Sequence, residues 1–280
     1  MISAPHLVGI LNITTDSFSD GGLWLDPQQA FRHAQDMISD GATIIDIGAE
    51  STRPGAQRVT ENIEQQRIQT IVRILTQWRQ DTHQKFLISI DTTRSSVAQC
   101  ALDQGADIIN DVSGGTLDPQ LPNLVADYNC QYIVQHWRQW LDLTKPQTQY
   151  THGVLTDVYT ELMHQVDNVL NKGVPPQNII IDPGLGFSKP TPHHNYPLLT
   201  HLHQFTQSGY PVLIGASRKR FLQTTLAPQK PTQHDLDIAT AIITAYCSLQ
   251  PIWGVRVHNV HDSAIALAIA QQWKANQQND

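Results

Sequence analysis

Short apolar runs alternate with amphipathic stretches eight times along 280 residues, and this alternation constrains the fold more than any other feature of the sequence. The runs fall at 6–13, 43–47, 86–90, 107–109, 132–135, 178–181, 211–214 and 254–257. Several of them (IIID, FLISI, NIIID, VLIG) are nearly continuous hydrophobic segments, as expected of strands covered on both faces. Helical periodicity occupies 27–40, 61–80, 94–104, 118–128, 151–172, 196–207, 236–249 and 261–273, and several of these stretches stop at glycine (Gly41, Gly105, Gly173, Gly209). Eight strand-helix units predict an α/β fold of the (β/α)8 TIM barrel type, a single domain over 1–280. A doubly wound open sheet is the alternative; the strand count and the lack of G-x-G-x-x-G after the first strand weigh against it. Two long polar connections, 14–26 and 48–60, are of a length usually kept for function.

Composition narrows the function. The chain carries 18 Lys+Arg against 25 Asp+Glu, a net charge of -7, so general nucleic-acid binding is excluded and any anionic ligand must be met by a few placed cations. Three cysteines (Cys100, Cys130, Cys247), none in a C-x-x-C pair, argue against a disulfide framework or a zinc ribbon. The N-terminal stretch has no basic region or long apolar core, and no run approaches a membrane span. The expectation is a cytoplasmic protein with no membrane association.

Polar residues close every strand: Asn12, Asp46 with Gly48, Asp91, Asn110 with Asp111, His136, Asp182, Ser217-Arg218-Lys219, and Arg256 with His258. In a closed barrel these ends share one face. Any one of them could be a helix cap; eight together predict a cup. Asp91, Asn110 and Asp182, with Lys219, suit a flat heterocycle offering paired N–H donors, the alternative being an internal Asp–Lys pair with no ligand. Arg53, Arg218, Lys219, Arg256 and His258 suit phosphate, and Asn12 with Asp16 could add a hard-cation contact. The 13 His offer no zinc pair at workable spacing.

With these residues in view, the chain resembles the dihydropteroate synthase family. The motifs are LNITTDSFSDGG at 11–22, ESTRPGA at 50–56, SIDT at 89–92, INDVSGG at 109–115, IDPGLGF at 181–187, SRKRF at 217–221 and RVHNV at 256–260, in the family's order across nearly the whole chain. The resemblance implies condensation of 6-hydroxymethyl-7,8-dihydropterin pyrophosphate with p-aminobenzoate, giving 7,8-dihydropteroate and pyrophosphate. It implies that Asp91, Asn110, Asp182 and Lys219 hold the pterin, and that Arg256, His258 and Asn12 hold the pyrophosphate, Asn12 with Mg²⁺. Thr52, Arg53 and Pro54 with Phe187 and Ser217 would frame p-aminobenzoate, and Phe18 with the second loop would close over the site. Lys219, Asp91, Asp182 and Arg256 are the expected catalytic groups, in an SN1-like substitution where cations draw off the leaving group and the aspartates stabilise the methylene cation. Similar enzymes are commonly homodimers, and the apolar C-terminal segment SAIALAIAQQW could supply such a contact. The chain departs from the family at Thr15 for Pro, at Trp137 for Met and at Ser188 for Gly. A pterin-binding methyltransferase of the methyltetrahydrofolate type and a non-catalytic pterin-binding paralogue are the alternatives; STRPG, SRK and RVH, as phosphate donors, favour the synthase.

Overall fold

Residues 4–14, 26–50, 58–138 and 148–277 are described by the computed structural model. Eight strands follow one another as β1 (His6–Asn12), β2 (Ile44–Gly48), β3 (Leu87–Asp91), β4 (Ile108–Asp111), β5 (Gln131–Gln135), β6 (Ile179–Asp182), β7 (Leu213–Ile214) and β8 (Gly254–Val257). All pair in parallel, in the order β6-β5-β4-β3-β2-β1-β8-β7. A parallel bridge between Ile181 and Val212 joins the two ends of this sheet, so the barrel closes between β6 and β7. Closure disposes of both sheet edges. The helices that pack outside include α1 (Pro27–Ser39), α2 (Glu61–Thr82), α3 (Ser95–Asp103), α4 (Leu121–Tyr128) and α5 (Val154–Leu170). Further along come α6 (Pro192–Thr200), α7 (Leu202–Thr206), α8 (Arg220–Leu226), α9 (Gln233–Ser248) and α10 (Val260–Gln277).

The strands match the sequence expectation to within two residues at either end. Two helices differ. The segment expected at 196–207 begins earlier, at Pro192, whose fixed φ suits a first turn, and it breaks at His201 into α6 and α7. The helix α8 was not anticipated, because its seven residues are too few to show a period. At the strand-facing ends, α9 begins with a capping box: Thr232 accepts from the Asp235 N–H, and Asp235 accepts from the Thr232 N–H.

Period-two geometry sorts the strand residues between two cores. Outward side chains such as Leu11, Ile45, Ile88, Ile109, Val134, Ile181 and Val255 pack beneath the helices. Inward chains form a separate plug: Val8, Ile44, Ile108, Ile133, Ile180 and Leu213, with Leu87 and Trp253 against it. One step of two toward the carboxyl ends, the same inward parity reads Ile10, Asp46, Ser89, Asn110, Gln135, Asp182, Gly215 and Arg256. The barrel interior is therefore oil at the bottom and polar one layer above it. That change of character places the site.

Candidate active site

Asp46 stands at the centre of the polar layer. Its side chain is fully buried and accepts from Ser89 Oγ at 2.5 Å, Asn110 Nδ2 at 3.1 Å and Arg256 Nε at 2.6 Å. One carboxylate thus ties β2, β3, β4 and β8 together. The other arm of Arg256 donates from Nη2 to Asp91 Oδ2 at 2.8 Å. The second oxygen of Asp91, Oδ1, is buried with no hydrogen-bond partner. A buried acceptor left unmade costs about 1–3 kcal/mol, so this atom has an acceptor position to offer a further donor.

Asp182 ends β6, and its Oδ1 accepts from the Gly184 N–H at 2.7 Å. A methyl group built on Gly215 would lie 3.7 Å from Asp182 Oδ2, 3.9 Å from Arg256 Cβ and 3.9 Å from Lys219 Nζ. Opposite charges from three strand ends therefore surround one bare backbone position. Lys219 Nζ also donates to the Leu185 carbonyl and lies 4.7 Å from the centre of the Phe187 ring, a cation–π contact. The loop after β6 permits this approach through two glycines. Gly184 has φ +67°, and a Cβ there would come 2.3 Å from the His136 carbonyl; Gly186 has φ +79°, and its Cβ would meet Lys219 Cδ at 2.9 Å.

The electrostatics follow from crowding. Burial raises the Asp91 pKa to about 7 against the pull of Arg256, with Asp46, Asp111 and Glu50 pushing it further up. Burial raises Asp182 as well, opposed by Lys219, the Gly184 N–H and Arg256. Lys219 is lowered to about 8 by burial, with Asp182 pulling the other way. Burial also works against the charge on Arg256, yet Asp46, Asp91 and Asp182 together hold its pKa above the ordinary value.

Toward the mouth, the Ser217 hydroxyl lies 2.9 Å from His258 Nδ1 and accepts from the His258 N–H at 3.1 Å, coupling the ends of β7 and β8. The α10 helix starts just beyond, its first turn capped by Asn259, which accepts from the Asp262 N–H at 3.0 Å. Asn12 is half-buried at the end of β1; its Oδ1 and Asp91 Oδ2 would lie 3.4 and 3.8 Å from a Cβ on Gly48. Among the described residues no group of three or more His, Cys, Asp or Glu could hold a metal ion. What the end of β1 offers a hard cation is one amide oxygen, on Asn12, beside the Asp91 carboxylate.

The structure brings Asp91, Asn110, Asp182, Lys219 and Arg256 into one layer, with Phe187, Ser217, His258 and Asn12 around it. Thr52, Arg53 and Pro54 lie outside the described residues, as do Thr15, Asp16 and Phe18. Arg218 is the exception among the expected phosphate-binding cations. With φ +55° it turns toward α9, where Nε and Nη2 meet the two oxygens of Asp237 at 2.6 and 2.9 Å. A bidentate carboxylate neutralises it there, since Asp237 lies one turn inside a helix that faces this loop. Arg256 also sits deeper than a rim residue, among aspartates. Ser89 was missed as a site residue, and Asp46 was placed in the cup without a role. Their signal was one polar residue at inward parity inside an otherwise apolar strand.

A family model described as pterin binding enzyme matches residues 8–258. A dihydropteroate synthase of Mycobacterium leprae is 43% identical over 277 residues, covering 98% of this chain and 95% of that protein. Among solved structures, the dihydropteroate synthase of Yersinia pestis with a sulfonamide drug complex aligns with a TM-score of 0.89 at 31% identity, covering 99% of this chain and 96% of that one. The dihydropteroate synthase of Xanthomonas albilineans with 4-aminobenzoic acid aligns with a TM-score of 0.85 at 29% identity, covering 98% and 95%.

Proposed function

This chain belongs to the pterin-binding enzyme family, alongside the dihydropteroate synthases, and from that premise we propose how its residues divide the work. It is a transferase that condenses 6-hydroxymethyl-7,8-dihydropterin pyrophosphate with p-aminobenzoate to 7,8-dihydropteroate and pyrophosphate. The observation that carries the division is the polar layer: an Asp91 oxygen without a donor and the Asp182 carboxylate, beside cations at Lys219 and Arg256.

The pterin edge presents N–H donors to Asp182 and to Asp91 Oδ1, while the Asn110 side chain, held by Asp46, supplies an amide oxygen and the Lys219 ammonium a donor for ring acceptors. Arg256, pinned by Asp46 and Asp91, presents a guanidinium whose orientation is set before substrate arrives. The bond from methylene carbon to oxygen then breaks, with its electron pair leaving on pyrophosphate. Negative charge accumulates at the departing oxygens, where Arg256, His258 and the first turn of α10 stabilise it. Positive charge spreads from the methylene into the pterin ring, and the carboxylates of Asp91 and Asp182 stabilise it in a site that largely excludes water. The aryl amine attacks second and gives up its proton, in an SN1-like sequence. Phe187 and Ser217, with Thr52, Arg53 and Pro54, frame p-aminobenzoate. Asn12 would hold a Mg²⁺ ion, whose charge would help neutralise the leaving diphosphate.

The chain acts as a cytoplasmic homodimer in this reading. Support for the dimer comes from α9 and α10, which expose Ile238, Ile242 and Tyr246 and, in parallel, Ile265, Ile269 and Trp273, each between 43% and 65% accessible. Both sets recur at i, i+4 and i+8, so each helix carries an apolar stripe outward. No described helix is long and apolar enough to cross a membrane. Turnover of the two substrates, read as pyrophosphate release with and without Mg²⁺, tests the assignment. Wild type is active and Lys219→Ala loses all measurable activity; a fully active Lys219→Ala enzyme removes Lys219 from the site.

A further inference from the structure

The loop after β6 is folded around one of its own side chains. Lys189 is fully buried, and its Nζ meets three acceptors: the Gly184 carbonyl at 3.0 Å, the Phe187 carbonyl at 2.8 Å and His136 Nδ1 at 2.9 Å. Burial pushes the Lys189 pKa well below its usual range, yet two carbonyls and a ring nitrogen around one Nζ call for three N–H donors, which only the ammonium has. Only one tautomer of His136 fits. Its Nε2 lies 3.0 Å from Glu161 Oε2, and an ionised carboxylate only accepts, so Nε2 carries the proton and Nδ1 offers its lone pair to Lys189. Burial, with the nearby Lys189, lowers His136 to about 4, which keeps the ring neutral. Partial burial works against the Glu161 charge, yet donors from His136 and Arg138 hold it at about 2.

The chain of contacts then returns to where it began. Arg138 donates to both Glu161 oxygens, from Nε at 2.8 Å and Nη2 at 2.7 Å. Its guanidinium lies 4.0 Å over the Tyr150 ring, and the Tyr150 hydroxyl donates to the Ser188 carbonyl at 3.0 Å. What the loop presents explains the investment in holding it. Between the two carbonyls that Lys189 grips stand Leu185, whose carbonyl receives Lys219, and next to them Phe187, whose ring faces Lys219. The backbone of Asp182, by contrast, is fixed by β6, and the turn touches its side chain only through the Gly184 N–H.

We propose, resting on the synthase reading, that Lys189, held through His136 and Glu161, is a positioning residue for the p-aminobenzoate half of the site. Its ammonium sets the 184–187 turn that aims Phe187, while the pterin ligands Asp182 and Lys219 start from β6 and from the segment before α8, and Asp46 organises the floor beneath them.

The test compares variants in the full-length enzyme. Lys189→Met keeps the stem and removes all three donors; His136→Leu removes the acceptor, and His136→Asn restores one at the Nδ1 position. The expected result is a KM for p-aminobenzoate raised about tenfold in Lys189→Met and His136→Leu, with a pterin KM within about twofold and His136→Asn near wild type. No rise, an equal rise for both substrates, or a His136→Asn enzyme as impaired as His136→Leu overturns the proposal. The two His136 variants decide the matter alone if Lys189→Met does not fold. A wild-type chain that releases no pyrophosphate in this assay overturns the synthase reading instead. In that event ¹⁵N NMR of the histidine rings decides: the His136 Nδ1 resonance must move between wild type and Lys189→Met, and an unmoved resonance overturns the role given to Lys189.

Discussion

Asp46 does the most with the fewest atoms. Three donors from three other strands converge on it, Ser89 on Oδ1 and Asn110 with Arg256 on Oδ2; an amide in its place, with its N–H₂ turned to the Ser89 hydroxyl, keeps an oxygen for Arg256 but no charge to balance it. Asp46→Asn is expected to lower kcat/KM for the pterin substrate about a hundredfold and to cost about 3 kcal/mol of stability, because buried Arg256 then keeps Asp91 as its one hydrogen-bonded carboxylate. Steady-state kinetics beside urea unfolding checks both. The acid and base limbs of activity are set at the same scale. Asp91 must be a carboxylate to accept pterin N–H groups, and its pKa is raised to about 7; Lys219 must be an ammonium, and its pKa is lowered to about 8. A narrow bell follows for kcat/KM, rising as Asp91 ionises through about pH 7 and falling as Lys219 deprotonates through about pH 8. A flat profile between pH 6 and 9, measured with the pterin substrate limiting, would contradict the two assignments. Sequence reasoning found Asp91, Asn110, Asp182 and Lys219 because they end strands. It placed Asp46 in the cup without a role and passed over Ser89, because inward parity is visible only once it is known which face of each strand closes the barrel.

Elements carry a different set of constraints. The start of α3 meets the start of α2 and both flanks of the 51–57 segment through Arg94. Its guanidinium pairs with Glu64 of α2, donates to Glu50 Oε2 at 2.9 Å and to the Val59 carbonyl at 3.0 Å, while Arg58 reaches Glu50 Oε1 at 2.7 Å. Glu64 and Glu50 are both nearly inaccessible; removing Arg94 leaves Glu64 with the Thr92 hydroxyl but no cation, and leaves Glu50 with Arg58 alone. Arg94→Met is expected to destabilise the fold by about 3 kcal/mol, read from the denaturation midpoint at constant slope. None of this network was legible beforehand: its members lie 8 to 44 positions apart, and a buried Glu on an amphipathic helix has no sequence signature. The helices themselves were legible where glycine ended them. Gly41, Gly105, Gly173 and Gly209 all have φ between 91° and 107°, and α8 went unseen where no such mark exists. Ser188 shows the reverse case. It holds φ +54° without being glycine, in the loop whose centre Lys189 occupies.

For the molecule as a whole, the alternation of apolar runs was sufficient to predict eight strands and a closed barrel, since a both-faces-covered strand has few other places to go. What periodicity could not predict was the closing contact, a single bridge from Ile181 to Val212, because β7 is only two residues long. The outer surface bears the remaining expectation. If the stripes on α9 and α10 meet those of a second copy, Ile242→Asp with Ile269→Asp converts a dimer to a monomer in sedimentation equilibrium without loss of helical signal. A wild-type chain that sediments as a monomer at micromolar concentration removes the dimer from the reading.

A carboxylate shared by four strands cannot be re-tuned for one of them. Any heritable change that alters how the floor of the cup reads its heterocycle must satisfy Ser89, Asn110 and Arg256 at once, which demands concerted replacements and closes off stepwise drift. Inhibitors that compete at that floor consequently face a target with few viable escape routes.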